Sequence, residues 1–98
     1  MNVSLAEAAF YDLEAIKAYY SDQGVAAIGE SFVKDILAHI EILADFPEIG
    51  RIVPEFDEPK IRELIHPPFR IVHVLESESI VVIRVWRSER LLVLPSIN

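Results

Sequence analysis

Apolar side chains recur at helical spacing in two stretches of the first half of the chain. They lie three or four positions apart between residues 10 and 20, and the same spacing returns between residues 25 and 43. Gly24 stands between the stretches and suits the left-handed position after a helix, and Pro47 ends the second stretch. With only about three residues between them, the two helices must form an antiparallel hairpin. The apolar positions are Phe10, Leu13, Ile16, Tyr20, Val25, Ile28, Phe32, Ile36, Ile40 and Leu43.

The start of the chain carries signals for a short strand and for a helix. Residues 2–5, NVSL, alternate between polar and apolar side chains, as a short edge strand does. Ser4 and Glu7 have the spacing of a capping box and predict that the first helix opens there. Asp12 falls between apolar positions of that helix and is expected to face mostly outward.

The apolar period changes to two after residue 59. The segments KIRELI, FRIVHVLE and IVVIRVWR are three predicted strands, separated by the breaks HPP and SESI. Their tight connections predict antiparallel neighbours. Residues 47–60 hold three prolines and one glycine and are predicted to be a loop between helices and sheet. We predict an α+β fold over residues 1–98: one domain, with an N-terminal helical hairpin packed on a small, mostly antiparallel sheet.

Arginines and a tryptophan gather at one end of the predicted sheet. Pairing Leu75 with Ile80 places Phe69 opposite Trp86, although a slip of one residue would exchange the two faces of a strand. The grouping at one end holds in any nearby register. The grouped residues are Arg70, Arg84, Trp86 and Arg87, with Arg90 just beyond.

The charge of the chain is divided unevenly. The net charge is −7, yet residues 60–98 carry six basic and four acidic side chains, against three basic and twelve acidic ones in residues 1–59. Overall acidity argues against affinity gained by neutralising many phosphates. A local cationic patch indicates a specific site rather than general nucleic-acid binding.

The composition excludes several classes of chemistry. The chain has no cysteine, which rules out thiol catalysis and cysteine-bound zinc and fits a reducing cytoplasm. No apolar run reaches the roughly 18–20 residues of a membrane span, and we expect no signal peptide. His39, His66 and His73 lack the spacing of metal ligands, and no nucleophile elbow or glycine-rich phosphate loop is present. We therefore predict no catalytic residue, metal or cofactor.

Two interpretations of the arginines stay open at this level. In the first, Arg62, Arg70 and Arg87 pair with Glu63, Glu89 or carboxylates of the loops, and their stems cover apolar surface. In the second, they bind an outside anion or the acidic segment of a partner. The apolar segment 91–95, LLVLP, either folds onto the sheet or offers a docking site. The candidate partner- or target-binding residues are Arg62, Arg70, Arg84, Trp86, Arg87 and Arg90.

The order of these features resembles the ParE/RelE superfamily, the toxins of bacterial type II toxin–antitoxin pairs. The similarity lies in an early A..DL..I..YY helix (residues 9–20), a segment F...I...I..L...P..GR (residues 32–51), and IREL, FRIVH and VVIRVWRSERLL. It covers almost the whole chain, and its specificity comes from the order and spacing of the motifs together.

The residues present favour the ParE-like branch over the RelE-like one. RelE-like members cleave messenger RNA in the ribosome with Lys, Arg and Tyr side chains. This chain keeps arginines at Arg70 and Arg90, but it has Glu63 in a strand where lysines are expected, Ser88 in place of a second arginine, and no tyrosine after Arg90. ParE-like members resemble it in the P-x-x-G-R loop and the I-R-E-L strand. Their terminal pattern V-L-H-G-R-R-D reads VWRSERL here.

The resemblance implies a cytoplasmic toxin that binds and poisons DNA gyrase without catalysis and is silenced by a small ParD-like antitoxin. A ribosome-dependent endoribonuclease that uses Arg70, Arg87 and Arg90 is the first alternative. A protein that keeps antitoxin binding with little or no toxicity is the second. We expect an extended antitoxin tail to cover the sheet and both helices and to add main-chain hydrogen bonds at the exposed edge strand. Operator DNA would be contacted only indirectly, through the antitoxin.

Overall fold

The computed structural model describes residues 1–88, which form two helices and a five-stranded sheet. The two helices form an antiparallel hairpin, and the strands follow in the second half of the chain except for the first. The elements are β1 (Asn2–Leu5), α1 (Glu7–Asp22), α2 (Ala26–Glu41) with a 3-10 turn (Ile42–Ala44), β2 (Arg51–Ile52), β3 (Ile61–His66), β4 (Phe69–Leu75) and β5 (Ser79–Arg87). This architecture confirms the predicted α+β fold.

The predicted capping box does not form. Ser4 belongs to β1, and Ala6 is the N-cap of α1 without any side-chain hydrogen bond. The amide of Ala6 instead donates to the carbonyl of Val82 at 2.8 Å, so the sheet fixes the start of the helix. A long-range strand contact has therefore replaced the local cap that the sequence offered.

The two helices of the hairpin approach closely at Gly29. A Cβ atom at this buried position would lie 3.0 Å from the Cβ of Tyr20 and 3.3 Å from the Cα of Lys17. Gly24 is the middle residue of the three that connect the helices, and its φ of +80° is the left-handed conformation predicted for it. The hairpin is thus set by one glycine in its turn and another at its contact.

The strand order is β1-β5-β4-β3-β2, with every neighbouring pair antiparallel except β1 and β5. Leu75 pairs with Ile80, as predicted. An irregularity between Val72 and His73 then shifts the register by one residue, so Phe69 lies opposite Arg87 and not opposite Trp86. The predicted pairing at this end of the sheet was wrong because the periodicity of the strand gives no sign of the shift.

The core lies between the helical hairpin and one face of the sheet. Its members come from both helices, the 3-10 turn and three strands. They are Ala9, Leu13, Ile36, Ile40, Leu43, Leu64, Phe69, Ile71, Ile80, Val82 and Val85. On β4, Phe69 and Ile71 alternate with Arg70 and Val72, so the latter two point to the opposite face.

Candidate interaction surface at α1 and β5

The described residues form a cleft where the C-terminal half of α1 crosses the end of β5. Its volume is about 470 Å³. We call it the α1–β5 cleft. It combines aromatic rings, aliphatic side chains and charged groups, which is the composition of a protein-binding site. The lining residues are Asp12, Ala15, Ile16, Tyr19, Tyr20, Phe69, Arg84, Val85, Trp86 and Arg87.

Asp12 holds α1 against the outer edge of β5. Its carboxylate accepts hydrogen bonds from Nε and Nη2 of Arg84, at 2.8 and 3.0 Å. The same carboxylate accepts the amide hydrogen of Val85 at 2.8 Å. Strand β1 pairs with β5 only as far as Val82. Beyond that residue the edge of β5 has no neighbouring strand among the described residues, and the Asp12 carboxylate there accepts the hydrogen bond that a strand would otherwise accept. The outward orientation expected for Asp12 was wrong, because this carboxylate bridges a helix and a strand.

Trp86 and Arg87 lie on opposite faces of β5. Trp86 is half-buried, and the guanidinium carbon of Arg84 lies 5.4 Å from the centre of its ring. The guanidinium carbon of Arg87 lies 5.6 Å from the ring of Phe69, and its Nη1 donates a 3.4 Å hydrogen bond to the Tyr20 hydroxyl. Trp86 therefore flanks the edge of the sheet, while Arg87 covers the end of the core.

Arg70 reaches the same end of the sheet but points into a closed ion network. It is 4% exposed and donates from Nε to Glu63 at 2.5 Å. Its two terminal nitrogens bind both oxygens of Glu55 at 2.8 Å. Glu63, 1% exposed, also accepts a 2.6 Å hydrogen bond from Nε of Arg51. One buried carboxylate, Glu63, and one exposed carboxylate, Glu55, thus pair with Arg70, as the interpretation of internal pairing expected.

The ion network perturbs the acidity of its members. The bidentate hydrogen bond from Arg70 lowers the pKa of Glu55 to about 2. The same hydrogen bonds, with a further one that Arg70 donates to Glu63, raise the pKa of Arg70 above its usual range. Glu55 belongs to the loop before β3, so the network fastens that loop to the sheet face that points away from the helices.

Arg62 lies at the other end of β3, opposite His73. Its Nη1 donates to the carbonyls of Gly50 at 3.0 Å and Glu48 at 3.4 Å, and its Nε donates to the carbonyl of Pro59 at 2.8 Å. These bonds tie two parts of the loop region to one side chain. Arg62 therefore lies away from Arg70, Arg84, Trp86 and Arg87. Arg90 and the segment 91–95 lie outside the described residues.

Two histidines form a contact between the hairpin and the sheet. The Nδ1 atoms of His39 and His66 lie 3.0 Å apart, so one ring donates and the other accepts. Burial and the neighbouring His66 ring lower the pKa of His39. His73 is fully buried, and burial lowers its pKa also. Among the described residues, no histidine contacts an arginine of the α1–β5 cleft as a general acid or base would have to do.

Sequence reasoning missed Asp12 and Tyr20 as partners of the arginines, and it expected loop carboxylates as partners without singling out Glu55. Asp12 is separated from Arg84 by 72 positions and Tyr20 from Arg87 by 67. The sequence did offer a signal for Asp12, which is an acidic residue among apolar and aromatic side chains of the first helix. Glu55 gave no local signal, because it stands in a loop among other carboxylates.

In the described part of the chain, neither helix is long and apolar enough to cross a bilayer. Each helix has 16 residues and carries charged side chains on its exposed side.

Comparison with known proteins identifies the family. A family model described as the ParE toxin of type II toxin-antitoxin system, parDE, matches residues 3–92. A solved structure titled "Chromosomal ParDE TA system from P. aeruginosa" contains a chain with the same fold, at a TM-score of 0.76 and 24% identity. The match covers 89% of this chain and 95% of that one. No curated protein sequence matches. Because the family model spans nearly the whole chain, this protein belongs to the ParE toxins of type II toxin–antitoxin systems.

Proposed function

We propose that this toxin acts by binding to DNA gyrase in the cytoplasm, without catalysis of its own, and that a ParD-like antitoxin silences it. The observation that carries the proposal is the family match over residues 3–92. The geometry of the arginines supports a binding role. Arg70 is surrounded by Glu55 and Glu63, and Arg84 is paired with Asp12.

The alternative, a ribosome-dependent endoribonuclease, requires cations that can face a phosphate in the transition state. Arg70 is 4% exposed and already neutralised by two carboxylates, so an incoming phosphate would have to displace Glu55. A phosphate that replaced Glu55 would exchange one bidentate anionic partner of Arg70 for another, so the net gain in binding energy would be small. The ion pairs therefore support the binding toxin over the nuclease.

The test is pulse-labelling of cells after induction of the toxin without its antitoxin. We expect thymidine incorporation to fall before amino-acid incorporation, together with DNA damage. A first fall in amino-acid incorporation would contradict gyrase as the target and favour the nuclease. A supercoiling assay with purified gyrase and purified toxin checks the same point without the cell.

The α1–β5 cleft and the neighbouring edge of β5 are the proposed binding site for the antitoxin tail. An extended tail can pair with the edge of β5 beyond Val82 and place apolar side chains beside Trp86. Replacing Trp86 or Arg87 by Ala should weaken antitoxin binding at least tenfold, because aromatic and arginine side chains dominate such contacts. Lys34→Ala, on the exposed surface of α2, is the control and should leave the affinity unchanged. Unchanged affinity in both cleft variants would place the antitoxin elsewhere.

A further inference from the structure

The edge of β5 beyond Val82 is contacted by a side chain at a place where another strand could pair. Among the described residues, β1 pairs with β5 only up to Val82, and no strand lies beside Arg84 or Val85 on that side. The amide of Val85 points to this edge, because it donates its hydrogen to Oδ2 of Asp12 at 2.8 Å. It is therefore a donor with which an added strand would pair.

The carboxylate of Asp12 occupies two positions that such a strand would use. Its Oδ2 atom accepts the Val85 amide hydrogen, as the carbonyl of a strand would. Its two oxygens also accept hydrogen bonds from Nε and Nη2 of Arg84, at 2.8 and 3.0 Å. A main-chain amide has one hydrogen to donate. A strand that pairs at Val85 must therefore displace Asp12 from this amide.

Displacement of Asp12 takes a counter-charge away from Arg84, and the occupant of the edge has to supply another. The side chain of Arg84 is 42% exposed, so a carboxylate can reach its guanidinium from solvent. Strand β5 itself, Ser79–Arg87, contains no carboxylate, so edge-to-edge pairing with a second copy of this strand supplies none. Nucleic acid carries anions, but the net charge of −7 disfavours its approach. The occupant that fits is an extended, acidic peptide segment.

Arg84 and Trp86 determine the order of side chains that this segment needs. Side chains alternate between the two faces of a strand, so these two residues share one face. The guanidinium carbon of Arg84 lies 5.4 Å from the centre of the Trp86 ring. Their neighbours on an added strand also stand two positions apart. The segment therefore has an acidic side chain beside Arg84 and an apolar one beside Trp86, with one residue between them.

We propose that Asp12 is an intramolecular substitute for the antitoxin tail, and that the tail displaces it on binding. A main-chain carbonyl of the tail takes the Val85 amide, and an acidic side chain of the tail takes Arg84. The inference rests on the proposed binding of the tail at the α1–β5 cleft and specifies the contacts that it makes there. It follows that Asp12 lowers the affinity for the antitoxin, because its bonds must open before the tail can pair.

The test compares variants of the full chain for their affinity to the purified ParD-like antitoxin, by biolayer interferometry at low toxin concentration. Asp12→Ala removes the competing carboxylate, Asp12→Asn keeps an acceptor for the Val85 amide, and Arg84→Gln removes the cation. The control is Glu14→Ala, which removes the same charge from an exposed position of the same helix that does not line the cleft. Circular dichroism establishes that each variant is folded.

We expect Asp12→Ala to bind the antitoxin at least about threefold more tightly than the wild type, because the edge is open before the tail arrives. Asp12→Asn should gain less, since its amide oxygen still competes for the Val85 hydrogen. Arg84→Gln should bind at least about tenfold more weakly, and the control should stay within about twofold of the wild type. Unchanged or weaker binding by Asp12→Ala overturns the displacement. So does an equal gain in Glu14→Ala, which would show an effect of charge alone.

A second measurement tests the acidic contact without altering Asp12. Each acidic residue of the antitoxin tail is replaced in turn by its amide, and binding to the wild type and to Arg84→Gln is compared. One replacement should weaken binding to the wild type and leave binding to Arg84→Gln unchanged, which is the coupling expected of a direct pair. Absence of such coupling at every acidic position overturns the contact.

The outcomes separate this inference from the proposed function. Unchanged affinity in both Trp86→Ala and Arg87→Ala removes the cleft as the tail's binding site, and the displacement falls with it. If those variants lose affinity and Asp12→Ala gains none, the site stands and only the displacement is wrong. Tighter binding of a second toxin copy or of RNA by Asp12→Ala, with unchanged antitoxin affinity, gives the edge to another occupant and also overturns the proposal. The order in which DNA and protein synthesis fall tests gyrase independently.

Discussion

The arginines show how one residue type takes different roles according to its surroundings. Arg70 is enclosed by two carboxylates, Arg84 is 42% exposed in its side chain and pairs with one, and Arg62 binds only main-chain oxygens. A buried charge that loses its partner is left without water or counter-ion, whereas an exposed charge is rehydrated. The same substitution therefore has different costs at these positions.

Arg70→Gln should destabilise the protein by about 3–5 kcal/mol, since it leaves Glu63 buried with the exposed Arg51 as its remaining ion-pair partner. Arg84→Gln is the matched control at an exposed pair and should cost about 0.2–1 kcal/mol. Urea unfolding at neutral pH measures both. Equal stability of Arg70→Gln and the wild type would show that the network does not hold the loop.

Acid should destabilise the fold through its histidines. Burial lowers the pKa of His73 and of His39, so the folded state disfavours protons that the unfolded chain accepts below about pH 6.5. The free energy of unfolding should thus be lower at pH 5.5 than at pH 7.5. Glu55 stays ionised over this range because its pKa is lowered to about 2, so its ion pair with Arg70 is not the source of the loss.

Urea midpoints at the two pH values measure this dependence. His39→Gln removes one titrating ring at a half-buried position and should reduce the difference between the two midpoints. A wild-type protein with equal stability at both pH values would contradict the buried, neutral state of His73.

At the level of secondary-structure elements, the part of the β5 edge beyond Val82 is covered by helix α1 and not by a strand. Strand β1 covers β5 only up to Val82, and Asp12 of α1 then accepts the amide hydrogen of Val85. A side chain that satisfies an edge amide limits pairing with other chains. It also leaves the edge open to a partner strand that competes for the same amide.

Asp12→Ala should lower the free energy of unfolding by about 1–3 kcal/mol, because it removes the acceptor for the Val85 amide and the partner of Arg84 together. Asp12→Asn keeps an acceptor oxygen and should cost less. Thermal unfolding ranks the two variants. Light scattering should further show concentration-dependent association for Asp12→Ala, and its absence would mean that the edge is protected by other means.

At the level of the whole molecule, the net negative charge of this toxin disfavours binding to nucleic acids. Its net charge is −7, and the loop residues Glu48, Asp57 and Glu58 on either side of β2 are exposed carboxylates. Few counterions are released when an acidic protein approaches DNA, so affinity for DNA is not gained in this way.

The toxin alone should therefore not shift operator DNA in a mobility assay at micromolar concentration, whereas the complex with its antitoxin should. The same assay at several salt concentrations provides the control, because true phosphate contacts weaken steeply with salt. A salt-dependent shift by the toxin alone would contradict the indirect contact that we predict.

Local patterns along the chain predicted most of the elements and much of their arrangement. Helical spacing and Gly24 predicted the hairpin, period-two alternation predicted β3, β4 and β5, and the tight turns predicted their antiparallel order. These features depend on neighbours a few positions apart, which a single sequence displays directly. The gathering of Arg70, Arg84, Trp86 and Arg87 at one end of the sheet was predictable for the same reason.

The tertiary structure alone decided which of those residues meet a partner and which face solvent. Two ion pairs join distant positions of the chain: Asp12 with Arg84, and Glu55 with Arg70. The parallel pairing of β1 with β5 also joins distant segments, and the register shift beside His73 changes which residues of β4 and β5 face each other. Such contacts depend on how the hairpin and the loop before β3 pack on the sheet. Local sequence does not encode that packing, because the same charge pattern is compatible with exposed or enclosed arginines until the loop closes over them.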